Sequence, residues 1–84
     1  MLSKKNPDIA LREHVRDSVA STLVARVHET DPGHLYRVLI REIEIPALSA
    51  VMSFCHGNQS KAALVLGINR KTLRSKLEYY GLAD

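Results

Sequence analysis

The chain has 84 residues, 45% apolar, 25% charged and 5% aromatic, a composition that suits one small folded domain and argues against disorder. Its formal charge of +3 points towards acidic partners, and no apolar run is long enough to span a bilayer. One core of this size leaves little margin over conformational entropy, so association with a second copy is expected.

The first helix is expected over residues 10–28. Leu11, Val15, Val19, Leu23 and Val27 recur every fourth residue, with Ala20 and Val24 widening the stripe, which is one helical face. Asp8 after a proline reads as its N-cap, and residues 1–9 as a flexible lead-in. Behind Lys4 and Lys5 there is no hydrophobic stretch of the kind a secretory signal needs. With a single cysteine, which cannot staple the fold, this points to the cytoplasm. The run "HETDPGH" then breaks the helical pattern, because the residue before a proline is pushed out of helical geometry.

A second helix is expected over residues 35–56. It is apolar around much of its circumference, with Leu35, Tyr36, Val38, Leu39, Ile40, Ile43, Ile45, Leu48, Val51, Met52 and Phe54. A helix of that kind needs partners on several sides. One helix before it and two short ones after it are too few, so residues 10–56 read as the dimerisation part of an intertwined homodimer. Pro46 should kink this helix or divide it in two, and Gly57 should end it.

The run "GNQSKAALVLGINRKTLRSKL", Gly57 to Leu77, has the most regular design in the chain. Asn58 caps a short helix built on Ala62, Ala63 and Leu66; Gly67 takes the left-handed conformation that stops it. Ile68 plugs the corner, Asn69 caps again, and a last helix over residues 70–80 turns Leu73 and Leu77 inward, with Gly81 ending it. Two helices joined by a tight glycine turn form a helix-turn-helix, here over residues 58–81. The second helix is then free to show Asn69, Arg70, Lys71, Thr72, Arg74, Ser75 and Lys76 outward, with Asn69, Arg70 and Thr72 in the first turn, where a recognition helix meets base edges. Arg can make paired bonds to guanine, Asn and Thr are versatile groove or phosphate partners, and Lys neutralises phosphate. Asn58, Ser60 and Lys61 can hold a phosphate at the first helix's N-terminus.

Charge follows the same division. Residues 1–56 balance their acids and bases. Residues 57–84 hold Lys61, Arg70, Lys71, Arg74 and Lys76 against Glu78 and Asp84, and so supply the whole net charge; no acid lies between Glu44 and Glu78. A balanced body with a basic end module is the asymmetry of a protein that meets a polyanion.

"GNQSKAALVLGINRKTLRSKLEYYG" resembles the C-terminal signature of the Fis family of bacterial DNA-bending proteins. "LYRVLIREIEIPALSAVMSFCHGN" resembles that family's long, proline-kinked central helix. With the first helix, the resemblance covers roughly residues 10–82. It implies an all-α, four-helix Fis-like fold with a C-terminal helix-turn-helix, an intertwined homodimer on double-stranded DNA, and a role as a nucleoid-associated transcriptional regulator without cofactor. Matched residue by residue, Arg70 would be the chief base reader with Asn69 beside it, and Thr72, Arg74 and Lys76 would sit on phosphates; Lys71, outside that match, is open between a DNA contact and a solvated position facing away. Asn58, Ser60 and Lys61 would anchor the first helix of the motif to the backbone. Recognition helices spaced closer than one turn of straight duplex would require the DNA to bend and to narrow its central minor groove. The resemblance also implies a contact with RNA polymerase through Ser53, His56, Gly57 and Gln59.

There are departures. Enteric relatives reach DNA invertases with a longer N-terminal arm, for which "MLSKKNPDI" leaves little room. Ser75, Glu78 and Tyr79 stand where close relatives are mostly basic, so fewer flanking phosphate contacts and a shallower salt dependence are expected. The C-terminal motif is shared with the DNA-binding tails of NtrC-type activators, and a stand-alone domain of that kind is one alternative. A dimeric helical adaptor for a protein partner, with a merely solubilising basic end, is the other. Cys55 beside His56 invites a metal or catalytic reading, but neither they nor His14, His28 and His34 have the spacing of metal ligands. Without a phosphate-cradling glycine loop or a nucleophile elbow, an enzyme is not expected.

Overall fold

The computed structural model describes residues 7–26 and 33–83, apart from the side chain of Asp8. Among them are four helices and no strand: α1 (Pro7–Arg26), α2 (Leu35–Phe54), α3 (Gln59–Leu66) and α4 (Arg70–Tyr79). The chain divides into two compact units, Met1–Ile40 and Arg41–Asp84.

In the first unit α1 begins at Pro7, ahead of the expected start at residue 10. Proline suits the first helical position, where its missing N–H would be unpaired anyway. Asp8 therefore lies inside the helix and is not its cap. Val27 and His28, expected in the same helix, lie outside the described residues. The apolar stripe is only half covered: Val15, Val19 and Leu23 are half-buried, while Leu11 and Val24 are exposed, Val24 at 84%. On α2, Tyr36 is likewise 77% exposed.

Pro46 lies within α2, which is one continuous helix and is not divided in two. The second unit holds the residues of α2 from Arg41 onward together with α3 and α4. Its core is Leu48, Cys55, Ala62, Ala63, Leu73 and Leu77, with Val51, Met52, Ile68, Tyr80, Leu82 and Ala83 half-buried against it. Ala62 and Ala63 are small enough to bring α3 close to its neighbours, and Cys55 serves as a buried apolar filler. Leu66, expected inside, is exposed at the rim. Alanines carry the buried face of α3.

Three helices end alike. After α3, the Gly67 N–H donates to the carbonyls of Ala63 (2.9 Å) and Leu64 (3.2 Å), and the Ile68 N–H to Ala63 (3.0 Å). With Gly67 at φ 75°, this is a Schellman closure. After α4, Gly81 donates to Glu78 and Leu82 to Leu77 in the same pattern. After α2 the left-handed position belongs to His56, at φ 54°: His56 donates to Ser53 at 3.1 Å and Gly57 to Met52 at 2.9 Å. Gly57, expected to end the helix, comes one residue after the position that does so.

Candidate nucleic-acid interface

α3 and α4 are joined by only Gly67, Ile68 and Asn69. Each helix starts on an asparagine in extended geometry. The Asn58 Oδ1 accepts from the Lys61 N–H at 3.0 Å, and the Asn69 Oδ1 accepts from the Lys71 N–H at 2.7 Å. Each cap occupies a carbonyl oxygen and leaves the amide NH2 to act as a donor towards a further partner. Neither first turn holds an acid, so the partial positive charge of both helix starts is unopposed from within.

Burial of Leu73 and Leu77 fixes which way α4 faces. Asn69, Arg70, Lys71, Thr72, Arg74 and Ser75 are all exposed. All but Thr72 line one open concavity along the helix, completed by Glu78. Three guanidinium or ammonium groups and an asparagine amide thus share one solvent-facing surface. On α3, Ser60 and Lys61 are exposed beside the Asn58 cap.

Lys76 departs from the sequence reading. It does not face outward with the other bases but turns to α2, where its Nζ meets the Glu44 Oε2 at 3.0 Å and Oε1 at 3.3 Å. The Tyr80 hydroxyl donates to the Glu44 Oε1 at 2.6 Å. The hydrogen bonds from Tyr80 and then Lys76 hold the Glu44 carboxyl below its ordinary value, against an opposing push from partial burial. The same bond from Tyr80 raises the tyrosine's own pKa. Glu44 and Tyr80 carry no signal of this role in the sequence, since nothing local marks a pairing across 32 and 36 residues. Arg74, expected on a phosphate, has its Nε 3.4 Å from the Glu78 Oε2, with both side chains well exposed.

Ser53, His56 and Gly57 line a second shallow groove, with Ser49, Met52 and Leu82. Gln59, grouped with them in the sequence reading, is half-buried and does not line it.

Two helices on a glycine corner, packed on a third and showing a basic face, define a helix-turn-helix protein. Residues 39–80 match the family model described as bacterial regulatory protein, Fis family. A protein of Xylella fastidiosa named as Fis-like and DNA-binding is 47% identical over 81 residues, covering 96% of this chain and 89% of that protein. The DNA-binding protein Fis of Psychromonas ingrahamii is 47% identical over 72 residues, 86% of this chain and 72% of the relative. That of Escherichia coli is 42% identical over 78 residues, 89% and 80% respectively. The chain belongs to the Fis family of bacterial regulatory proteins.

Proposed function

We propose that this protein binds double-stranded DNA as a homodimer, with α4 in the major groove, bends it, and regulates transcription as a component of the bacterial nucleoid. The observation that carries the reading is the open basic face of α4. Asn69, Arg70, Lys71 and Arg74 converge there, on a helix whose opposite side is locked into the core. The relatives, named as DNA-binding proteins, support it. Likeness over 81 residues favours a Fis-type protein over an isolated NtrC-type tail.

Arg70, at the first position of α4, reads a base, guanine being its natural bidentate partner. Asn69 lies beside it, and Lys71, Thr72 and Arg74 contact the backbone. Asn58, Ser60 and Lys61 hold a phosphate at the start of α3. Residues 58–81 form the DNA-binding unit and residues 10–56 the dimerisation part. Exposed Leu11, Val24, Tyr36 and Ile43 are apolar surface that a second copy would cover. Bending follows if the paired recognition helices lie closer than one turn of straight duplex. The groove at Ser53, His56 and Gly57, with Gln59 near it in sequence, is a surface for RNA polymerase.

The test is a titration onto an AT-centred duplex with guanines near both ends and onto a scrambled duplex, across a salt series, for the wild type and Arg70→Ala. The reading expects a preference for the first duplex, a steep loss of affinity with salt, and a loss of about 1–3 kcal/mol per half-site together with the preference in Arg70→Ala. If neither duplex binds at low salt, DNA binding is refuted and the adaptor alternative takes its place. Sedimentation at micromolar concentration tests the dimer.

A further inference from the structure

Among the basic side chains of α4, Lys76 is the one that does not face the open concavity. Its ammonium spans both oxygens of Glu44, and the Tyr80 hydroxyl closes on one of them. The lysine side chain is 39% exposed and the glutamate 28%, so this ion pair is better shielded than an ordinary surface pair. It ties the last turn of α4, and the residue just after it, to α2. The corner at Gly67–Asn69 fixes the other end of α4.

We infer that Glu44 is a positioning residue for DNA recognition: it withholds Lys76 from the phosphate backbone and fixes the C-terminal end of the recognition helix through Lys76 and Tyr80. The inference rests on the DNA-binding reading above and deepens it. A charge-assisted pair with geometric definition is stronger than a neutral hydrogen bond, and a phosphate would have to displace a carboxylate already in contact to recruit this lysine. Lys76 therefore contributes to the placement of α4 and adds no counterion release on binding.

A charge-neutralisation cycle in salt tests this on the 84-residue chain, because each phosphate neutralised adds about 0.9 to the slope of log K against log salt. The variants are Lys76→Met, Glu44→Gln, the double variant, Tyr80→Phe, and Glu42→Gln as a control for charge alone, Glu42 being exposed on the same helix. Each is checked for helicity by circular dichroism and titrated onto the AT-centred and scrambled duplexes. Lys76→Met alone should leave the slope unchanged. Glu44→Gln should free the lysine and steepen the slope by about 0.9 per protomer, while the preference for the AT-centred duplex falls several-fold. The double variant should return to the wild-type slope, Tyr80→Phe should lose preference without changing slope, and Glu42→Gln should move neither.

A slope shallower by about 0.9 per protomer in Lys76→Met would place the lysine on a phosphate and overturn the inference. So would a Glu44→Gln variant indistinguishable from Glu42→Gln. Should Glu44→Gln fail to fold, Lys76→Met and Tyr80→Phe still decide. If the wild type binds neither duplex at low salt, the DNA-binding reading itself has failed, and this inference with it.

Discussion

Replacing His56 by glycine should stabilise the protein. His56 occupies the left-handed position of a helix closure that α3 and α4 give to Gly67 and Gly81. For a residue with a Cβ, that conformation costs about 1–2 kcal/mol, with histidine among the residues that visit it more readily. Glycine removes the cost but adds freedom to the unfolded chain, which offsets about 0.4–1 kcal/mol. The net expectation is a gain of about 0.5–1 kcal/mol. The closure's hydrogen bonds, from the His56 and Gly57 N–H groups to Ser53 and Met52, are backbone bonds and survive the change.

Gly67→Ala is the mirror experiment. A Cβ at Gly67 would meet nothing within 4 Å, so only the backbone conformation is penalised, and a loss of about 1 kcal/mol is expected. Urea unfolding of both variants at one protein concentration measures the two shifts. In heat, a change of 1 kcal/mol moves the midpoint by roughly 4–8 °C in a domain of this size. His56→Ala keeps the strain but removes the imidazole, and should change stability by less than about 0.5 kcal/mol. If His56→Gly is neutral or destabilising while Gly67→Ala costs its full amount, the strain argument is wrong. His56→Ala then measures what the imidazole contributes. Duplex affinity should be unchanged in His56→Gly, because α4 is anchored by other residues.

Three further outcomes are expected. Leu73→Ala, at a fully buried position, should cost about 2–5 kcal/mol, read as a lower urea midpoint at unchanged slope. Glu44 has a depressed pKa in the folded protein, so its contribution is present above the ordinary value of 4.5 and lost as pH falls through the folded value. Tyr80 has a raised one, so its contribution is present below the ordinary value of 10.0 and lost as pH rises through the folded value. Stability followed across pH should therefore fall on both flanks, and Glu44→Gln should flatten both; flanks unchanged in that variant would refute the assignment. Glu78→Gln should leave stability within about 0.5 kcal/mol, since the pair with Arg74 is a surface pair. It should tighten duplex binding and steepen its salt slope, and unchanged duplex titrations would show that Glu78 lies away from phosphate.

What the sequence discloses, and what it hides, divides by the range of the interaction. Asn58, Asn69 and Gly67 act on backbone groups within five residues, so their roles follow from residue type and spacing alone, and the structure has them as read. Leu73 and Leu77, one turn apart, fix the inward side of α4 in the same local way. The start of α1 is ambiguous in the sequence because Asp8 has the residue type of a cap, while the preceding proline suits the first helical turn and is where the helix begins. The end of α2 is harder to read, because Gly57 is the obvious left-handed candidate and does lie at φ 80°, yet the closure already turns at His56, at φ 54°, after a helix that ends at Phe54. The contact of Lys76 with Glu44 is hidden for a different reason. By type and by its place on α4 the lysine belongs with Arg70 and Lys71, and only a carboxylate 32 residues earlier in the chain redirects it. An acid-free stretch of sequence marks the face as basic; the last acid before that stretch, Glu44, takes one of its bases, Lys76, into a contact with α2.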